Sequence, residues 1–354
     1  MLLQAEKLSK PEIACRLKIS LPTVAQSIKE LSEMGLVAEA GELRSTGGRK
    51  AVAVAALPCA KIALGLDITR NHVGLVALNL KGEILKHERV SRCFADEPGY
   101  YQELGRMTAR FVDECRLPVQ DILGIGISVP GIVSPDGRFL LDSHVLGLSD
   151  CMNDAFCRAL PYPSILCNDA NAAGFAETCQ QNNTGDLVFL SLSNSVGGAI
   201  LINGNLYEGL NQRGGEFGHM RVVAGGRRCY CGQLGCLDAY CSADVLARPA
   251  GGRLEQFFAL LEQGDQPVRD IWDSYAEHLI FAVNNLRMIF DCDVVLGGYV
   301  GSFLEPYLPS LRRMAAACDT FETDCAYLRV CTLKTEASAV GAARYPIQTF
   351  LSNL

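Results

Sequence analysis

His219, Cys229, Cys231 and Cys236 fall within one short segment, GHMRVVAGGRRCYCGQLGC. Three thiolates and one imidazole match the tetrahedral preference of zinc, and the glycines among them allow the backbone to turn tightly around an ion. Four protein ligands leave no open coordination position, so the reading is a structural site. Cys241 is close enough in sequence to substitute, and the alternative is a group of unmetallated thiols. A second candidate is Asn168-Asp169, which follows the short apolar run Ile165-Leu166-Cys167 and opens a helical segment. Ligands in α/β folds sit at the carboxyl ends of strands. A carboxylate there could take a proton from a hydroxyl or merely hydrogen-bond it; it could equally be a helix N-cap. Glu216, three residues before His219, is ambiguous in the same way.

These residues need a scaffold, and the hydrophobic pattern supplies one. Apolar strands are expected at 62–68, 73–78, 122–129, 187–192, 198–202 and 294–296, and a third strand opens at Glu83-Ile84-Leu85. Helices are expected at 100–115, 170–180 and 271–290. Strands alternating with helices define an α/β architecture. The same strand–turn–strand opening near residues 62 and 187 predicts two related halves, roughly 59–180 and 181–354, with a cleft between them.

The first 58 residues have a different texture. Ser9, Pro11 and Glu12 carry the capping-box spacing of a helix start. A second helix runs from Leu21 to about Met34, with Val24, Ile28 and Leu31 inward and Thr23, Gln26, Ser27 and Lys29 outward. Strands at 36–38 and 52–54 flank the basic, glycine-rich loop Arg44-Ser45-Thr46-Gly47-Gly48-Arg49-Lys50. This is the pattern of a winged helix-turn-helix that binds double-stranded DNA, with a helical protein-interaction module as the alternative. Thr23, Gln26 and Ser27 would face base edges, and Arg44, Arg49 and Lys50 would reach phosphates or the minor groove. A further helix would have to fit within the first eight residues.

Composition agrees with such a division. Residues 1–58 carry eight Lys/Arg and six Asp/Glu, a charge of +2; the whole chain is −7, leaving −9 for the remainder. Hydrophobic residues make up 49% of the 354 and charged ones 20%, an ordinary globular balance. No run of about 18 apolar residues suits a membrane span. Charges interrupt the first twelve residues, so no signal peptide is expected, and most of the 16 cysteines are expected reduced in a cytoplasmic protein.

Ser128-Val129-Pro130-Gly131, Asn168-Asp169-Ala170-Asn171, GGEFGHM and CYCGQLGCLD together resemble the ROK family of repressors, uncharacterised reading frames and sugar kinases. The head, PEIACRLKISLPTVAQSIKELSEMGLV followed by STGGRK, resembles its repressor branch, of the xylose and N-acetylglucosamine type. The resemblance implies a winged helix-turn-helix at 1–58 and a two-lobed, actin-like sugar-kinase domain (ribonuclease H-like lobes) at 59–354. It implies that Asn168, Asp169, Glu216 and His219 hold hexose hydroxyls, that Asp169 is the base position of kinase members, and that His219, Cys229, Cys231 and Cys236 hold one zinc per chain. Asp238, expected to bind the sugar as well, stands where the family usually has a sugar-contacting Glu, a shorter acid that would alter selectivity or loosen the contact, and an asparagine usual near Val145 is missing. Kinase members resemble Asp-Ile-Gly-Gly-Thr-Lys at the first phosphate loop, where this chain has Asp67-Ile68-Thr69-Arg70-Asn71-His72. The second loop, usually Gly-rich, reads Ser193-Asn194-Ser195-Val196-Gly197-Gly198-Ala199. Glycines let backbone N–H groups approach phosphate, so ATP is not expected to bind. The expected protein is a transcription regulator, in its simplest form a repressor, that acts as a homodimer or higher homo-oligomer and answers to a sugar or sugar-derivative effector; the alternative is an active ATP-dependent sugar kinase.

Overall fold

The computed structural model describes residues 1–42, 52–149, 154–180 and 185–354. Two five-stranded sheets dominate it. The first contains Ile62–Ile68, His72–Asn79, Ile84–Ser91, Ile122–Val129 and Ser164–Asn168; the second contains Leu187–Leu192, Val196–Ile202, Asn205–Leu206, Asp293–Gly297 and Leu328–Val330. Counting the strands of each sheet one to five along the chain, both have the order 3-2-1-4-5. In each, the first three strands form an antiparallel meander and the last two run parallel to the first. The expected α/β class and the internal duplication are therefore both present.

The parallel strands are apolar along their length because both faces are covered. Helix Pro98–Glu114 lays Tyr100, Leu104 and Phe111 on one face of the first sheet. Helix Gln266–Phe290 buries Trp272, Tyr275, Leu279, Val283 and Leu286 in the core of the second half. The carboxy-terminal helix Ala337–Ser352 returns to the first sheet rather than staying with the second half, packing Ala339, Val340 and Ala343 against Ala63, Val76 and Leu78. Its approach is close. A Cβ at Gly65 would lie 1.9 Å from the Ala339 carbonyl oxygen, and one at Gly126 would lie 1.8 Å from that of Ala342. Pro346 lacks the N–H that would have bonded Ala342, so this helix carbonyl is free to face the sheet.

Ahead of the sheets, helices Lys10–Leu17 and Leu21–Glu33 join through the turn Lys18-Ile19-Ser20 and pack on an antiparallel sheet of Leu8–Ser9, Val52–Ala56 and Val37–Glu42. The capping box is formed: Glu12 N–H donates to Ser9 Oγ at 3.3 Å, and Ser9 N–H donates to Glu12 Oε2 at 2.7 Å. Val24 and Ile28 are buried as the periodicity predicts. Among the described residues no helix precedes Leu8. Residues 1–7 make turns, with Gln4 and Ala5 N–H groups on the Met1 carbonyl, because Leu8-Ser9 is taken up as a strand opposite Val54 and Ala53. Arg44, Arg49 and Lys50 lie outside the described residues. The small unit rests on the larger one through Leu3, Leu31 and Leu36 against Leu80, Ile347 and Phe350.

Candidate functional site

The ends of the central strands place the site. Strand Ser164–Asn168 ends at Asn168, and helix Asp169–Gln180 begins at the next residue, so the two polar side chains stand at the mouth between the halves. Asn168 is fixed at both ends: its Nδ2 donates to the Gly131 carbonyl at 3.0 Å, and its Oδ1 accepts from Asn171 N–H at 3.0 Å. Asp169 is the first residue of its helix and accepts from its neighbour Ala170 N–H at 2.9 Å; the N-cap contact is made by Asn168, three residues before Asn171. The Asp169 carboxyl is pushed up to about 7, first by burial and then by the negative charge of Asp67. Asp67 itself is pushed up to about 6 by burial, against the opposing hydrogen bond from Ser128 Oγ at 2.7 Å.

Asn168, Asp169, Glu216 and His219 line one cavity of about 690 Å³. Two residues that sequence reasoning missed line it too. The Tyr230 ring lies flat on His144, with centroids 3.8 Å apart and planes 6° apart, and its hydroxyl is 3.3 Å from His219 Nε2. Asp238 does not line this cavity. It is buried, and its Oδ1 accepts the Val196 N–H at 2.6 Å. The shorter side chain is used by the backbone of the second loop instead.

His219 faces both ways: Nδ1 lies 4.0 Å from Cys229 Sγ, and Nε2 lies 4.0 Å from Glu216 Oε2. The donor atoms of His219, Cys229, Cys231 and Cys236 all fall within 4.8 Å of one another. A tetrahedron with metal–sulfur bonds of about 2.3 Å has edges of about 3.8 Å, and Cys231 Sγ to Cys236 Sγ is 3.8 Å. The set therefore fits a zinc-sized ion with soft ligands. The knuckle needs its glycines: Gly235 has φ +83°, and a Cβ there would meet the Val223 carbonyl oxygen at 1.7 Å. Cys241 is fully buried with its thiol toward the Tyr275 carbonyl, away from this group of ligands.

The loops 67–72 and 193–199 each have backbone N–H groups bonded within the chain. Thr69 N–H donates to the His72 carbonyl at 2.9 Å, and His72 N–H donates to Thr69 Oγ1 at 2.9 Å. In the second loop, Ser193 N–H donates to the Ser195 carbonyl and Val196 N–H to Asp238. In the small unit, Thr23, Gln26 and Ser27 are exposed on the second helix. Gln26 is not free, since its Nε2 donates to Glu30 Oε1 at 2.6 Å, and Thr23 Oγ1 lies 2.7 Å from Ser20 Oγ.

With this geometry in hand, similarity to known proteins defines the class. The ROK family model matches residues 63–348, and the chain belongs to that family. It is 24% identical to the xylose repressor of Bacillus subtilis over 250 residues, 70% of this chain and 65% of the repressor, so it spans just under two thirds of that protein's length. It is 29% identical to a glucokinase of Halalkalibacterium halodurans over 247 residues, 62% of this chain and 75% of the glucokinase. Among solved structures, a ROK family transcriptional regulator described as a homolog of the E. coli MLC protein superposes with a TM-score of 0.74 at 19% identity, over 96% of this chain and 92% of that one. Repressors and kinases thus both stand among its relatives, and no described helix is long and apolar enough to cross a membrane.

Proposed function

We propose that the chain is a DNA-binding transcription regulator, in its simplest form a repressor, whose body binds a sugar or sugar derivative without phosphorylating it. One observation carries the reading: the polar set in the cleft is assembled while four N–H groups of the loops that would hold a phosphoryl donor are bonded within the chain. Asn168, Asp169, Glu216 and His219 converge on one cavity. The Thr69, His72, Ser193 and Val196 N–H groups are spent inside the chain. Catalysis of phosphoryl transfer is almost wholly positioning and electrostatic stabilisation, so a base without a held donor has little to act on.

In this reading residues 1–58 are a winged helix-turn-helix and 59–354 the effector domain. His219, Cys229, Cys231 and Cys236 would hold a structural zinc, and ligation through one ring nitrogen would leave the other nitrogen of His219 to donate into the cavity. Asp169 and Glu216 accept from ligand hydroxyls, and Asn168 orders the strand end beneath them. The effector's signal has a short path. Ser338 Oγ donates to the Asp169 carbonyl at 3.1 Å, and the helix that begins beside Ser338 packs Ile347 and Phe350 against Leu31 and Leu36 of the head. The protein acts as a cytoplasmic homodimer on a roughly palindromic operator, with Leu21–Glu33 in the major groove and Thr23, Gln26 and Ser27 nearest the bases. Arg44, Arg49 and Lys50 hold the backbone or minor groove beside it.

A second reading, an active sugar kinase, draws on one observation: a carboxyl pushed up to about 7 suits a general base. Two measurements separate the readings. Selection of binders from a random duplex pool should enrich one motif, and an ADP-coupled assay with common hexoses and ATP should show turnover well below about 1 per second. Failure to enrich any motif with folded protein defeats the regulator; turnover at a kinase rate establishes the enzyme.

A further inference from the structure

A second cavity, of about 740 Å³, lies beside the first and is lined by Arg70, Arg227, Arg228 and Arg248. The Tyr230–His144 stack lines both cavities and forms the wall between them, whereas Asn168, Asp169, Glu216 and His219 line only the first. Two carboxylates also line the second, but both are engaged: Asp238 with the Val196 N–H, and Asp244 with Arg248 at 3.8 Å. Arg227 is held over the Tyr240 ring, 4.7 Å from its centroid. Among the described residues the Arg70 and Arg228 guanidinium groups have neither a carboxylate nor a hydrogen-bond partner. Four arginines against two aspartates give the cavity +2 in a chain whose net charge is −7. Asn71 and Asn194 add neutral hydrogen-bonding groups to its rim.

Like charges gathered in a concave space repel one another, and an anion with matching geometry relieves that repulsion. Guanidinium groups present planar forks that pair bidentately with phosphate and carboxylate oxygens. Arg70 is also the residue that replaces a phosphate-loop glycine. Its change removes a backbone approach to phosphate in one place and adds a cationic side chain to the wall of another. We propose that this cavity is an anion site for a small molecule bearing at least two phosphate or carboxylate groups, separate from the polar cleft and independent of what that cleft binds.

Isothermal titration of the full chain at low ionic strength tests this, with inorganic pyrophosphate and citrate as probes. The expected result is saturable binding at one anion per chain, weakened about tenfold by Arg70→Ala and by Arg228→Ala, since a lost charge-assisted pair is worth about that factor. Both side chains are exposed, and they come from opposite halves, so a local fault in one loop cannot produce both losses. Arg110→Ala, at a distant surface ion pair, should bind as the wild type does. Tighter binding of pyrophosphate than of citrate assigns the ligand to phosphates, and the reverse order to carboxylates. The proposal is overturned if neither probe saturates, or if binding survives both substitutions. It is also overturned if the loss follows Arg89→Ala, which lines the neighbouring cavity holding Asp67, in place of Arg70→Ala.

Discussion

Asp169→Asn should stabilise the folded protein, and by more at alkaline than at acid pH. The folded chain holds this carboxyl near 7, against an ordinary value of 3.8, so it binds its proton more tightly folded than unfolded. Stability from such a group is fully present below 3.8 and is lost as the pH rises to about 7. A shift of about 3 units corresponds to about 4 kcal/mol as an upper bound. Asp169 is only half-buried, so solvent screening reduces this to about 2 kcal/mol. A chain of 354 residues has an unfolding entropy near 0.7 kcal/mol/K, about 2.1 cal/mol/K per residue. The melting point should therefore rise by about 3 °C at pH 8 and by only about 1 °C at pH 5, where the folded carboxyl is already protonated. The amide retains the oxygen that accepts Ala170 N–H. Paired calorimetric scans of the two proteins at both pH values make the measurement. An equal gain at both, or a loss at pH 8, would refute the argument that the chain retains an unfavourable carboxylate pair for its ligand.

Three other outcomes follow from the same geometry. Protein purified without added metal should carry one zinc per chain by elemental analysis, and Cys231→Ser should lower stability by about 4 kcal/mol or more, the scale of a lost structural metal; fully folded metal-free protein would contradict this. Tyr230→Phe should tighten binding of the cleft's effector about three- to tenfold, because the hydroxyl now beside His219 Nε2 no longer competes for it; titration of effector into the two proteins reads this directly, and weaker binding would make Tyr230 a ligand contact instead. In the head, Arg49→Ala should weaken binding to all DNA sequences and flatten its salt dependence, whereas Gln26→Ala should relax preference at one or two base pairs by about 1–3 kcal/mol in competition assays.

What could be read from the sequence divides along contact distance. The cluster of three cysteines and a histidine was legible because all four sit in one short segment, and their donor atoms do come within 4.8 Å of one another. The strand Ser164–Asn168 and its helix were legible from a short apolar run followed by polar residues. Tyr230 was not, because its partner His144 is far away in sequence and nothing in CYC singles out the tyrosine. The carboxy-terminal helix Ala337–Ser352 escaped for another reason. Ala337, Ala339, Val340, Gly341, Ala342 and Ala343 are nearly all buried, covered by the sheet on one side and helix Asp169–Gln180 on another, so no polar stripe marks a helical period.

The eroded loops show both sides of the limit. The scarcity of glycines led to the expectation that no backbone cradle for phosphate forms, but not to what the loop backbone does instead. The structure supplies two replacements: Thr69 and His72 close a turn on themselves, and Asp238, 42 residues beyond Val196, reaches back to cap the second loop. A glutamate at position 238 would carry its carboxylate one methylene further and could not make the same 2.6 Å contact without displacing that loop. The Asp is therefore consistent with the loop it caps. The short acid at 238 and the second loop fit each other as one unit, in which the carboxylate holds backbone.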